Sequence, residues 1–190
     1  MRGALRRSLA LNLNLNLDPN LDYSLHRLQP EDWPAYRAIR LAMLRDTPLA
    51  YLETVDDALA LPESEWRFRT TRAAGPGNVG VAAVGPDGAW VGVMNGFLPA
   101  PDTAKLVGVW LEPGHRGAGG TGAGLAARML DEVVRWAREE TGAKRLTLLV
   151  HEENGRAIGF YRRSGFVLTG RTERYPLDVR QSELEMVLGL

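Results

Sequence analysis

Apolar and polar positions change period several times along the chain, and each change marks an element. Leu21 to Leu28 reads as a first strand. Gln29-Pro-Glu-Asp32 then opens a helix through Arg45, with a proline and two acids in its first turn and Trp33, Tyr36, Ile39, Leu41 and Leu44 at helical spacing. Asp46-Thr-Pro48 stops it. Glu53 to Leu61 carries no clear period, whereas Pro62-Glu-Ser-Glu-Trp66 looks like a further helix start. Val79 to Val84 and Trp90 to Leu98 are strands flanking Gly85-Pro-Asp-Gly88, a turn sequence, and so form a hairpin.

A Pro-rich turn, Pro99-Ala-Pro-Asp102, leads into the apolar strand Lys105 to Leu111. A helix from about Thr121 to Glu140 places Leu125, Met129, Val133 and Trp136 on one stripe, leaves Arg128, Asp131, Glu132 and Arg138 outside, and is capped by Gly142. Lys144 to His151 is the next strand, Asn154 starts a last helix, and Val167 to Thr172 and Glu183 to Leu188 close the chain. The order β-α-α-β-β-β-α-β-α-β-β predicts an α/β (α+β) fold, a mixed sheet with helices on its faces.

Composition narrows the function classes. At 190 residues the chain is one domain by size, and 45 % hydrophobic residues suffice for a core. Lys+Arg and Asp+Glu balance at 23 each, which argues against nucleic-acid binding as the main activity. The absence of cysteine excludes thiolate catalysis, Cys-ligated zinc and disulfides, and the scattered His26, His115 and His151 make no metal cluster. No apolar run is long enough for a membrane span. Residues 1–21 place three arginines before a Leu/Asn alternation. They are expected to be a disordered extension ahead of a single domain from residue 22, with an extra edge strand as the rival reading. The asparagines spoil the apolar core of a signal peptide and no small-residue cleavage site follows, so the expected location is cytoplasmic.

The densest chemical signal is the stretch from Gly114 to Leu125. Seven glycines lie between Gly108 and Gly124, in the context strand, glycine-rich turn, helix. Amides freed at a helix start converge on one spot, the helix dipole adds partial positive charge, and glycines allow close approach, so the loop suits a phosphate or pyrophosphate. A Walker A loop is excluded, because Gly122-Ala-Gly-Leu125 lacks both the lysine and the hydroxyl. A dinucleotide fingerprint matches only loosely, as Gly117-Ala-Gly119-Gly-Thr-Gly122.

Downstream, Asn154-Gly-Arg-Ala157-Ile-Gly-Phe160-Tyr161-Arg-Arg-Ser-Gly165-Phe166 resembles motif B of the GNAT superfamily, the acyl-CoA-dependent N-acyltransferases. Pro113-Gly-His115-Arg116-Gly117 and the following glycines resemble its motif A, the pyrophosphate-binding arm. The resemblance is close from Ala104 to Leu188, and the first half agrees in layout. It implies a GNAT fold with a mixed, mostly antiparallel sheet. Two registers of the arm fit. One is headed by Arg116 and runs through Gly117, Gly119 and Thr121; the other is headed by Thr121 and runs through Gly122, Gly124, Leu125 and Ala126.

The resemblance further implies acetyl-CoA as co-substrate, no metal, a primary amine as acceptor and a homodimer as an allowed assembly. It places Tyr161 beside the thioester sulfur as proton donor to the leaving thiolate, chemistry that a phenol of pKa about 10 can perform toward a thiol of about 8.5. Asn154 would face pantetheine, cap the helix, or do both. Phe160 lies beside the tyrosine as the core aromatic, and Val109 and Leu111 lie on the strand whose edge amides accept pantetheine and polarise the acetyl carbonyl. Glu112, Asp102, Glu53 and Asp56 are the candidates for the base. Acceptor choice falls to about Ala42–Arg72, where Tyr51, Glu53, Asp56, Asp57 and Trp66 offer either a cation site with an aromatic wall or an ordinary helix surface. A non-catalytic acyl-CoA-binding module on the same fold is the alternative.

Overall fold

The computed structural model describes residues 23–117, 122 and 124–190. Residues 1–21 and two arm positions, Gly119 and Thr121, lie outside the described residues. Among the described residues, seven strands form one sheet in the order β1-β2-β3-β4-β5-β7-β6, all neighbours antiparallel except the β4–β5 pair. The strands are β1 (Ser24–Arg27), β2 (Asn78–Val84), β3 (Trp90–Ala100), β4 (Thr103–Leu111), β5 (Arg145–His151), β6 (Val167–Arg174) and β7 (Ser182–Gly189). The helices are α1 (Trp33–Asp46), α2 (Val55–Ala60), α3 (Glu63–Ala74), α4 (Leu125–Arg135) and α5 (Gly155–Arg163).

Two apolar cores sit on opposite faces of the sheet. On one, Leu125, Met129 and Val133 of α4 and Tyr161 of α5 pack against Val81, Met94, Leu106 and Leu148. On the other, Ile39, Met43 and Leu44 of α1 and Trp66 of α3 pack against Val93 and Trp110. The α4 stripe is buried as its period requires, Trp136 included. Arg27 of β1 binds Glu132 of α4 at 2.8 Å, joining the edge strand to that helix.

Four boundaries differ from the sequence reading. Three helices, not two, precede β2, because Thr54 caps the extra short helix α2 by accepting from the Asp57 amide at 3.1 Å. Gln29-Pro-Glu-Asp32 forms a separate 3₁₀ turn ahead of α1. The long helix begins at Leu125, and its last turn widens to π geometry over Trp136–Glu140, where the Ala143 amide reaches back to the Ala137 carbonyl. Finally, β3 continues through Pro99 to Ala100; the proline stands at a register irregularity, where the ladder needs no amide. No helix among the described residues is long and apolar enough to cross a membrane.

Candidate active site

β4 and β5 pair only at Thr103–Lys105 against Arg145–Thr147. Beyond that short parallel ladder they part, so the β5-facing edge of β4 from Leu106 onward meets no strand among the described residues. An unpaired edge is a row of amides and carbonyls open to an extended ligand. Midway along it Gly108 has φ 59°, and the β3–β4 register slips between Val93 and Asn95. This is a bulge. It moves Trp110 into the α1-side core, while Ala104 and Leu106 stay in the α4-side core.

Tyr51 closes the bulge from the other side. Its hydroxyl donates to the Val109 carbonyl at 2.9 Å, and its ring carries the Arg40 guanidinium 4.9 Å from the centroid. Tyr161 stands next to it, close enough that the two phenols interact electrostatically. Burial pushes both hydroxyls to higher pKa, and Tyr51 raises Tyr161 further. Both therefore stay protonated across the working pH range. Tyr161, not Phe160, is the more deeply buried aromatic of α5, since it lies between Phe160 and Phe166 at 5.4 and 5.6 Å. Phe160 is only partly buried. Asn154 caps α5, accepting from the Ala157 amide at 3.1 Å.

The arm leaves β4 through Glu112 and a 3₁₀ turn at Pro113–His115. Arg116 stands at its entry, but its guanidinium turns inward, donating to the Leu111 carbonyl and to Asp46 at the end of α1, 5.8 Å above the Trp110 ring. Asp46 also accepts from the Trp110 indole at 2.9 Å. Desolvation works to raise the Asp46 pKa, but hydrogen bonds from Arg116, Trp110 and Thr47 outweigh it and hold the carboxyl below its ordinary value. Gly117 follows with φ 74°. Gly122 is buried, and a Cβ there would fall 3.0 Å from the His115 carbonyl, so Gly122 packs closely against the arm's entry. Gly124, at φ 84°, starts α4. The Leu125 amide already serves the Gly122 carbonyl and its side chain is fully buried. The next amides, those of Ala126 and Ala127, belong to the first turn, which has no intrahelical acceptors.

A cavity of about 710 Å³ runs from Tyr51 and Gly108 across the α1/α3 face of the sheet. Arg40, Arg69, Arg72, Lys105, Glu65 and Glu183 supply its charged wall. Asn95 also lines it, with a buried Oδ1 that has no hydrogen-bond partner among the described residues. Of the expected bases, Glu53 has both oxygens occupied, one by Arg40 at 2.9 Å and one by Arg69 at 2.7 Å. Asp56 is exposed on α2, and Asp102 pairs with Arg145 at the far end of β4. Glu112 is half exposed beside His115. Sequence reasoning passed over Glu183, whose carboxyl pKa burial and the neighbouring Glu173 raise despite Lys105 and His151.

Residues 41–166 match the Acetyltransferase (GNAT) family model. The chain belongs to the GNAT acetyltransferase family. No curated protein matches it. Among solved structures, this GNAT chain is similar to the GNAT-family acetyltransferase from Streptococcus pneumoniae, with TM-score 0.73 at 18 % identity over 88 % of this chain and 99 % of that one. The PaiA N-acetyltransferase from Thermoplasma acidophilum, in complex with coenzyme A, aligns with TM-score 0.67 at 15 % identity over 88 % and 99 %. Spermidine N-acetyltransferase from Vibrio cholerae, in complex with CoA and spermine, gives 0.67 at 15 % over 88 % and 95 %. These likenesses show the shared GNAT fold. The residues of this GNAT site fit an acyl-CoA on two observations: the open edge of β4 and the glycine-led start of α4. No group of histidines and carboxylates able to hold a metal occurs among the described residues.

Proposed function

We propose that the chain transfers an acetyl group from acetyl-CoA to a primary amine, by direct attack of the amine on the thioester where Tyr51, Gly108 and Tyr161 meet. What carries this reading is that the 710 Å³ cavity reaches the unpaired stretch of β4 at Leu106–Gly108, beside Tyr51. A coenzyme A complex of a protein with the same fold supports the choice of donor. Bound acetyl-CoA supplies the activated acyl carbon and a thiolate leaving group.

The chain's own residues do the rest. The edge amides of Val109 and Leu111 hold the pantetheine and polarise the carbonyl. Gly117, Gly119, Thr121, Gly122 and Gly124 form the pyrophosphate cradle, closed by the first-turn amides at Ala126. Arg116, held by Asp46, fixes the cradle's entry. Asn154 and Phe160 line the α5 side. An alkylammonium has a pKa of about 10.4, so its proton must be taken before attack. Glu183 accepts it, and a raised carboxyl pKa makes it a better base for that step. As the C–N bond forms and the C–S bond breaks, the Tyr161 hydroxyl donates its proton to the departing sulfur, and the second proton shed by the new amide nitrogen returns to the phenolate, so that one net proton remains on Glu183. Burial weakens this phenol as an acid, but the same dry surroundings also raise the basicity of a nascent thiolate, so the transfer stays feasible.

The test is thiol release from acetyl-CoA over a panel of amines, alongside melting curves with acetyl-CoA and with NADH. Amine-dependent release with stabilisation by acetyl-CoA is the expected result. Stabilisation by acetyl-CoA with no release from any amine would leave the non-catalytic binding module. Stabilisation by NADH alone would overturn both.

A further inference from the structure

Two carboxamides border the cavity, and they are held differently. Asn78 donates through Nδ2 to the Pro76 carbonyl at 3.0 Å. Asn95 bonds to no described residue: its Oδ1 is buried without a donor, and nothing accepts from its Nδ2. A buried polar group left unpaired costs stability and calls for a reason.

Asn95 stands in β3 between Gly80 of β2 and Val107 of β4 in one cross-strand row. A Cβ on Gly80 would fall 3.1 Å from its Oδ1, and a Cβ on Gly108 would fall 2.9 Å from its Nδ2. The carboxamide is therefore laid across the floor with an end over each of two glycines. Leu28 also crowds the Gly80 position and closes the oxygen end. An orphaned carbonyl oxygen is tolerated more often than an orphaned N–H, so the oxygen belongs at that closed end. The N–H donors then sit at the β4 bulge, where Gly108 lines the cavity beside Tyr51. The result is a fixed dipole with its positive end over Gly108.

We propose that Asn95 is a catalytic residue of the transfer: its Nδ2 donates to the acyl oxygen of the thioester as negative charge builds there, alongside the β4 edge amides. This rests on the acetyl-transfer reading. When the amine nitrogen bonds to the acyl carbon, the carbonyl π pair moves onto oxygen, and it returns as the C–S bond breaks. A donor fixed in advance stabilises that charge without having to reorganise. A neutral donor also leaves the incoming ammonium free to lose its proton, which a carboxylate at the same place would oppose. The orphaned Oδ1 is the stability given up to hold the dipole in this direction.

The variants are Asn95→Ala and Asn95→Asp, with Asn78→Ala as control, and the acceptor is an alkylamine without oxygen. Asn95→Ala should lower kcat by about 10²-fold, the low end of what one oxyanion donor contributes. Amine KM and acetyl-CoA affinity should stay within about twofold, because the bond is made mainly in the transition state. Its Tm should hold or rise, since a buried acceptor without a donor has been deleted. Asn95→Asp, assayed in alkaline buffer where the carboxyl is ionised, should lose more than Asn95→Ala, and Asn78→Ala should keep the native kcat. Isotope-edited infrared spectra of bound acetyl-CoA, taken without amine, should show the acyl carbonyl stretch at lower frequency in the native chain than in Asn95→Ala. That band needs no turnover: a shift without acetylation of any amine sustains the contact and counts against acetyl transfer alone. An unshifted band overturns the proposal, as does an Asn95→Asp more active than Asn95→Ala, which would make Asn95 an acceptor for the amine. A loss confined to amine KM, or one matched by a falling Tm, overturns it as well.

Discussion

Gly108→Ala isolates the bulge that aims the β4 edge at the site. Two effects oppose the substitution. An L-residue at φ 59° is strained by roughly 1–2 kcal/mol, only partly offset by the lower entropy of the unfolded alanine chain. The new Cβ would also fall 2.9 Å from Asn95 Nδ2. That amide has little room to retreat, because its Oδ1 is buried against the Gly80 backbone. Overpacking of this kind adds about 1–3 kcal/mol. Gly88 supplies the control: its φ is 82°, yet a Cβ there meets nothing within 4 Å. Gly88→Ala should therefore show the strain alone, near 1 kcal/mol, and Gly108→Ala about 1–3 kcal/mol more. In thermal melts each kcal/mol corresponds to a fall of about 2–4 °C in Tm for a chain of this size. Urea titration at constant slope gives the same difference directly. Gly108→Ala should also weaken acetyl-CoA binding, because relaxing the bulge moves the Val109 carbonyl away from Tyr51. If Gly108→Ala proves no more destabilising than Gly88→Ala, the bulge is not clamped by Asn95 and the reasoning fails.

Tyr161→Phe keeps the ring and removes one hydroxyl, so kcat should drop by roughly 10²–10⁴-fold or somewhat less while acetyl-CoA affinity holds; unchanged kcat with chemistry rate-limiting would remove Tyr161 from the mechanism. Glu183→Gln should abolish the acidic limb of the kcat/KM profile, which in the native chain lies above the ordinary carboxylate range because activity is lost as pH falls through a raised pKa; an identical limb in the variant would assign it elsewhere. Asp46→Asn should lower stability at neutral pH by about 1.5–3 kcal/mol, the scale of hydrogen bonds to a charged group. Because the native Asp46 pKa is depressed, that contribution is present above the unfolded carboxylate range and fades as pH falls through the folded value, so urea midpoints of the two proteins should converge in acid.

Much of this architecture is legible in the sequence, for local reasons. The hairpin follows from Gly85-Pro-Asp-Gly88, the α4 core face from a 3.6-residue stripe, and the α5 start from Asn154, each within a few residues of its cause. What escaped is either short or distant. Helix α2 has six residues, too few for a period, and only the Thr54–Asp57 cap signals it. Strict alternation puts Trp110 on the same face as Ala104 and Leu106; the bulge reverses this, and the glycine at 108 was the one available sign. The Arg116–Asp46 pair joins residues 70 apart, so no motif could reveal that the arm's arginine points toward α1. Glu183 reads as the first charged residue of an ordinary strand until the β5–β7 pairing turns it into the cavity. Glu53 looks like an open carboxylate until Arg40 and Arg69 close over it.

The central claim is that donor and acceptor meet across the Tyr51–Gly108–Tyr161 junction. A conjugate joining the CoA sulfur through a short acetyl-length linker to the nitrogen of the fastest-reacting amine tests it most directly by calorimetry. Occupying the β4 edge and the cavity together, it should bind about 10²-fold or more tighter than CoA, with Tyr51→Ala eroding the gain. Affinity no better than that of CoA would mean that the two sites do not meet there.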